Sequence, residues 1–244
     1  KNIHLNIFCL VFLLIAVLEF LSINFPTSLI DSYHDGQKLS SAYKSVLDGS
    51  LWSGSYVTVG IIFETLSTKF IWYLFDHISI GLARFAEIFY IFCLKVSLIF
   101  LAFLVTKKTS FKPLISNIFF VISAAIFINI TDYNTASVNI ITSRDFPVIL
   151  LAIFFLLSQN NNSIFIIMLI SLLSIFSMFW GIDRGLVSNF LIILISINFF
   201  LEKDYKKLFY LFFFIISFWI IFYSINRNEF LFFLENTFSI YREM

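Results

Sequence analysis

Two carboxylates and an imidazole lie close together just after the first apolar segment of the chain. Asp31, His34 and Asp35 follow an apolar run at 5–25, and about twenty apolar residues let a helix cross the hydrocarbon core of a bilayer. In a helix, Asp31 and Asp35 would share one face. Two neighbouring carboxylates push their pKa values apart, so that one can act as a base. Alternatively, Asp35 caps the next helix and Asp31 ends the first helix in solvent.

The same three side chains could serve as metal ligands. Asp31, His34 and Asp35 offer oxygen and nitrogen donors to a divalent cation, but the sequence offers no clear fourth ligand. The pattern therefore predicts neither a definite metal site nor a definite cofactor.

Arginines lie beside aspartates in two later segments. Arg144 and Asp145 precede the fourth apolar run, and Asp183 and Arg184 lie between glycines that join the fifth run to the sixth. A guanidinium fork donates two hydrogen bonds to a phosphate oxyanion and can stabilise a leaving group. Arg144, Asp183 and Arg184, with Arg84 nearer the N-terminus, are therefore candidates for substrate binding. The alternative is structural: the aspartates cap helices and the arginines pair with them.

The composition requires a bilayer around these candidates. The 244 residues are 60% hydrophobic and only 13% charged, whereas soluble domains carry about 25% charged residues. A net charge of +1 excludes a strongly basic nucleic-acid binder. Backbone groups in lipid must be satisfied internally, and no alternating barrel pattern recurs, so the spanning segments should be helices.

The expected fold is an all-α polytopic membrane protein with about seven transmembrane helices in a single membrane domain, 1–244. Residues 26–85 form a long first outer loop with amphipathic helices, 86–224 hold the remaining spans, and 225–244 begin an outer segment of a chain that we expect to be truncated. A helix ending at Gly49 is expected in the loop, followed by interfacial helices on which Glu64, Asp76, His77 and Arg84 face solvent and Trp52 and Trp72 lie at headgroup depth. The apolar runs are 5–25, 86–106, 114–130, 146–158, 163–180, 186–201 and 208–224.

Lysines predict the orientation. Threading seven spans places Lys107, Lys108 and Lys112 on the same side as the later lysines at 203–207. Short loops rich in Lys and Arg face the cytoplasm. The candidate residues then face outward, and we expect an integral protein of a bacterial inner (plasma) membrane with an extracytoplasmic active face.

The combination of a first helix running outward, a large first outer loop with acids near its start and short later loops resembles the C-type (GT-C) glycosyltransferase superfamily. The resemblance covers the first hundred residues best and rests on architecture. It implies a polyprenyl-phosphate-linked sugar donor, a glycan, lipid or protein acceptor, and a catalytic Asp in the first outer loop. Asp31 best matches that position and Asp35 is second. The spacing Asp-x-x-x-Asp departs from the adjacent acids or acid-x-acid triplet of many members.

Two other classes of function remain open. A non-catalytic carrier or flippase for lipid-linked sugars would show broken helices and charges at membrane depth, but the spans have almost none besides Lys95. A polymerase or ligase of surface polysaccharide would depend more on Arg184 than on the acids of the first loop.

Overall fold

A computed structural model describes residues 3–23, 34–53, 57, 59–131, 133, 142–159 and 163–243. For His34, Asp35 and residues 240–243 it describes the backbone alone. Within these ranges the fold is all-α, without strands. The α-helices are α1 (Ile3–Leu21), α2 (His34–Asp48), α3 (Ser67–Phe75), α4 (Ile80–Lys108), α5 (Pro113–Ile130), α6 (Phe146–Gln159), α7 (Ile164–Trp180), α8 (Ile182–Leu201), α9 (Tyr205–Ile225) and α10 (Arg227–Glu243). A π-helical turn (Ile62–Leu66) precedes α3, and a 3-10 turn (Ser143–Asp145) precedes α6.

Five of the described helices, α1, α4, α5, α8 and α9, are long and apolar enough to cross a membrane. Helices α6 and α7 are also apolar but shorter, with 14 and 17 residues. A short apolar helix can be accommodated by local thinning of the bilayer or by flanking residues. The chain is thus a polytopic α-helical membrane protein.

The membrane helices form two hydrophobic clusters. In the first, α1, α4 and α5 pack around Cys9, Ile99 and Phe120. In the second, α6 to α9 pack around Ile170 and Phe199, and contacts between α4 and α6 join the two groups. Short connections between α6, α7, α8 and α9 make successive helices antiparallel.

The first loop folds onto one end of the bundle, which we call the loop end. Helix α2 is held there by ion pairing between Lys38 and Glu87 of α4 at 2.9 Å. Lys69 of α3 donates to the Ser45 carbonyl oxygen of α2 at 2.8 Å. The expected helix after residue 37 is therefore present, and Gly49 ends it with a φ of +76° that favours glycine.

The tryptophans of this loop are buried by protein. Trp52 and Trp72 are only 7% and 4% exposed, so their rings pack against protein, and their headgroup depth stays a prediction. The rings of Phe179, Phe222 and Phe233 surround Trp52. Each such aromatic pair is worth about 0.5–1.5 kcal/mol beyond the area that it buries.

Helix α10 is hydrogen-bonded to the middle of the first loop. Glu229 accepts hydrogen bonds from the backbone nitrogens of Trp52 at 2.8 Å and Ser53 at 3.0 Å. Asn236 donates to the Val57 carbonyl oxygen at 2.8 Å and accepts from its nitrogen at 3.2 Å. Burial raises the pKa of Glu229, but the hydrogen bonds from Ser53 and Trp52 lower it more, so its pKa lies below the usual value.

Candidate functional site: a cluster of four charges at the loop end

Arg144, Asp145, Asp183 and Arg184 converge into one cluster at the loop end of α6 and α8. Arg144 Nη2 lies 2.6 Å from Asp183 Oδ2, and Arg184 Nη1 lies 3.2 Å from the same oxygen. Arg184 Nε lies 2.5 Å from Asp145 Oδ1. Two positive and two negative charges therefore alternate, and the cluster is balanced.

Among the described residues, the aspartates do not occupy all the N–H groups of the two arginines. Arg144 and Arg184 each donate to Asp183 through one terminal nitrogen, while Arg184 Nε is in ion-pair contact with Asp145. Within the part of the chain that the structure describes, neither Arg144 Nε nor Arg184 Nε has a hydrogen-bond acceptor, and both atoms are buried. The two side chains are 35% and 31% exposed. Each guanidinium thus retains N–H groups that can donate hydrogen bonds to an oxyanion at a partly open surface.

Local backbone structure fixes the two sides of the cluster. On one side, the Asp145 carboxylate accepts from the Thr142 nitrogen at 2.8 Å and closes a capping box around the 3-10 turn. On the other side, Gly181 is the N-cap of α8, and Asp183 lies in the first helical turn. The prediction that Asp183 is an N-cap was wrong by two positions, because Gly181 is the N-cap. Asp145 directly precedes α6 but is the third residue of the capping box whose N-cap is Thr142. The prediction that the arginines pair with the two aspartates is confirmed.

The first loop contacts the cluster through backbone. The Ile182 nitrogen donates to the Val59 carbonyl oxygen at 2.8 Å, within the turn that precedes Asp183. A Cβ atom on Gly60 would lie 2.5 Å from the Trp180 carbonyl carbon and 2.7 Å from the Gly181 nitrogen. Only glycine lets the loop approach this turn so closely. The loop therefore holds the start of α8 in place.

A path of aromatic rings connects the start of α2 with the cluster. Lys38 Nζ lies 5.2 Å from the Phe63 ring centroid, and Phe63 lies 5.9 Å from the Trp180 ring. Trp180 Nε1 donates to the Ser143 carbonyl oxygen at 3.3 Å, next to Arg144. The start of α2 and the charge cluster thus lie at the same end of the bundle. They are linked by one cation–π contact, one ring–ring contact and one hydrogen bond.

The predicted carboxylate site is only partly described. Asp31 lies outside the described residues. His34 and Asp35 form the first turn of α2, but their side chains also lie outside the description. Since α2 already begins at His34, Asp35 lies inside the helix and is not its N-cap, contrary to the structural alternative. Whether these side chains meet the charge cluster stays a prediction.

Two residues expected to face solvent are buried. Glu64 of the π-helical turn is 3% exposed and Arg84 of α4 is 9% exposed. Their solvated placement on interfacial helices was therefore wrong, because α3 packs against α4 and against the π-helical turn, and α2 and α7 also contact that turn. Whether Arg84 contacts a lipid phosphate stays a prediction.

The sequence interpretation missed one charged partner inside the membrane region. Lys95 of α4 is completely buried, 2.8 Å from Glu19 Oε1 of α1. Its ammonium group also lies 4.4 Å from the centroid of the Tyr133 ring. Glu19 interrupts the first apolar run, and that acid was the available signal for a partner to Lys95.

No group of three or more metal-binding side chains occurs among the residues that the structure describes. No family model, curated protein or solved structure matches the chain.

Proposed function

We propose that the chain is a membrane glycosyltransferase that moves a sugar from a polyprenyl-phosphate-linked donor to a lipid, glycan or protein acceptor, with its loop end facing away from the cytoplasm. The observation that carries the proposal is the convergence of Arg144 and Arg184 on one partly open cluster, next to the first loop. A departing lipid phosphate needs cationic donors at a membrane surface, and these guanidinium groups have unused N–H bonds.

The roles follow from the charges. Asp31 or Asp35 would take the proton of an acceptor hydroxyl, whose oxygen attacks the anomeric carbon of the sugar. The bond from that carbon to the phosphate oxygen breaks, and Arg184, with Arg144, stabilises the phosphate that leaves. Asp183 and Asp145 hold the two arginines in position before substrate arrives, since each forms an ion pair with at least one of them.

The test is transfer from a panel of polyprenyl-phosphate hexoses and pentoses in proteoliposomes. We expect Asp31→Asn or Asp35→Asn to abolish transfer while insertion and thermal stability remain unchanged. Asp76→Asn is the matched control, because Asp76 is an exposed acid of the same loop and asparagine also tolerates its φ of 47°. Full transfer by both single variants would contradict the proposed base.

A carrier of lipid-linked sugars is the second candidate, and the ion pair of buried Lys95 with the half-buried Glu19 favours it. Ionisable groups inside membrane helices often mark substrate or ion pathways. A carrier would move a labelled lipid-linked sugar between leaflets without acceptor and would keep this activity in Asp31→Asn and Asp35→Asn. The proposed transferase would release polyprenyl phosphate only when acceptor is present.

A further inference from the structure

A second polar site lies where α1, α4 and the segment after α5 meet. We call it the Lys95 site, and it consists of Glu19, Lys95 and Tyr133. Lys95 is 0% exposed and Tyr133 is 9% exposed. Lys95 pairs with Glu19 Oε1 at 2.8 Å and lies over the Tyr133 ring. It is separate from the charge cluster and takes no part in the proposed transfer.

Two oxygen atoms of this site are buried without a partner among the residues that the structure describes. They are Glu19 Oε2 and the Tyr133 hydroxyl. Leaving such atoms unpaired costs free energy comparable to a lost hydrogen bond. Burial also raises the pKa of Tyr133, so its hydroxyl stays protonated and can donate. The site therefore offers one strong acceptor beside one hydroxyl.

An apolar cleft adjoins the site. Its volume is about 190 Å³, and Phe20, Leu21, Ile23, Phe85 and Ile88 line it. Phe20, Ile23 and Ile88 also pack around Tyr133. An apolar cavity of about 150 Å³ is large enough to bind benzene. The cleft can thus hold a short apolar body beside the side chains that pack around Tyr133.

The chemistry of the ligand follows from these partners. Lys95 and Glu19 already balance each other, so a charged group would bring an uncompensated charge into a buried place. Glu19 Oε2 only accepts, so the ligand must donate. A hydroxyl donates one hydrogen bond and accepts others, which matches Glu19 Oε2 and Tyr133 together. We propose that the Lys95 site binds the hydroxyl of a neutral lipid alcohol, whose apolar body lies in the adjoining cleft.

The test uses photolabelling of the purified full chain with a branched aliphatic alcohol that carries a diazirine, and with its methyl ether. The ether keeps the apolar body and loses the donor. Because hydrogen bonds to charged groups are among the stronger ones, we expect the alcohol to label the wild type about tenfold better than the ether. Leu21→Trp should abolish labelling, since Leu21 lines the cleft and is 71% exposed.

Tyr133→Phe is the decisive variant, because it keeps the ring beneath Lys95 and removes only a hydroxyl without a partner. It should lose most of the preference for the alcohol, with an unchanged or higher midpoint of thermal unfolding. Ser188→Ala is the matched control, since it removes another fully buried hydroxyl without a partner, in α8, and should label like the wild type.

Three results would overturn the proposal. Equal labelling by alcohol and ether would show an apolar cavity only. No labelling by either compound would indicate that the site binds no lipid alcohol and that water is the partner of Glu19 Oε2 and the Tyr133 hydroxyl. If Tyr133→Phe showed the same preference for the alcohol as the wild type, the Tyr133 hydroxyl would have no role in binding.

Discussion

Replacing Gly60 by alanine should detach the first loop from the charge cluster. The new Cβ would lie 2.5 Å from the Trp180 carbonyl carbon and 2.7 Å from the Gly181 nitrogen. All the nearest atoms are backbone, so no side chain can rotate away, and either the loop or the α7–α8 turn must move.

The magnitude follows from two contributions. Overpacking of a well-packed site costs about 1–3 kcal/mol, and loss of the hydrogen bond from the Ile182 nitrogen to the Val59 carbonyl costs about 1 kcal/mol. We expect Gly60→Ala to reduce the free energy of unfolding by about 2–4 kcal/mol, summing the two contributions. The assay is reversible unfolding in mixed micelles of mild detergent and dodecyl sulfate, followed by tryptophan fluorescence.

Gly36→Ala is the matched control. Gly36 lies in α2, and a Cβ there would meet no atom of the described residues within 4 Å. Alanine in a helix is more favourable than glycine by about 0.5–1 kcal/mol, so this variant should be as stable as the wild type or slightly more stable. Equal stability of Gly60→Ala and Gly36→Ala would refute the close approach of the loop to the α7–α8 turn.

Three further predictions concern the hydrogen bonds of Glu229 to the first loop, the Lys95–Glu19 ion pair and the orientation. Glu229→Gln should destabilise the protein by about 1 kcal/mol at neutral pH, whereas Glu235→Gln, on the exposed side of α10, should have no effect. Because the folded pKa of Glu229 is depressed, its contribution to the free energy of unfolding is present above the unfolded pKa and is lost as pH falls through the folded pKa. The curves of unfolding free energy against pH for the wild type and Glu229→Gln should therefore converge in acid. Parallel curves would contradict this. Glu19→Gln should reduce the free energy of unfolding by about 3–5 kcal/mol, because it leaves buried Lys95 unpaired. In a double-mutant cycle, Lys95→Met combined with Glu19→Gln should reduce it by less than the sum of the two single changes. Strict additivity would argue against the pair. A cysteine at Lys203 should react with an impermeant maleimide only when the cytoplasmic side is open, and labelling of intact cells would reverse the assigned orientation.

Hydrophobic patterning predicted the membrane helices well, because burial in lipid depends on local composition. The run at 146–158 corresponds closely to α6, Phe146–Gln159. The second run was placed at 86–106, but α4 begins at Ile80. Arg84 interrupts the apolar pattern of its first six residues, and Ser79 caps the helix by accepting from the Leu82 nitrogen. A helix that emerges from the membrane keeps its geometry without an apolar signal.

Tertiary contacts lay beyond the sequence. Arg144 and Asp183 are 39 residues apart, and only the packing of α6 near α8 brings them together. The sequence supplied both segments and the alternative that they pair, but not which arginine meets which aspartate. The burial of Glu64 and Trp52 likewise depends on helices far along the chain, so a local amphipathic pattern was taken for an interfacial one.

Binding of polyprenyl phosphate, the leaving group shared by all the proposed donors, tests the central claim most directly. Binding to the chain in nanodiscs should weaken at least tenfold in Arg184→Lys, which keeps the charge beside Asp145 but loses the planar fork. Arg227→Ala is the control, because Arg227 is an exposed arginine at the start of α10, and it should bind like the wild type. Equal binding by the wild type, Arg184→Lys and Arg227→Ala would contradict a phosphate site at the charge cluster.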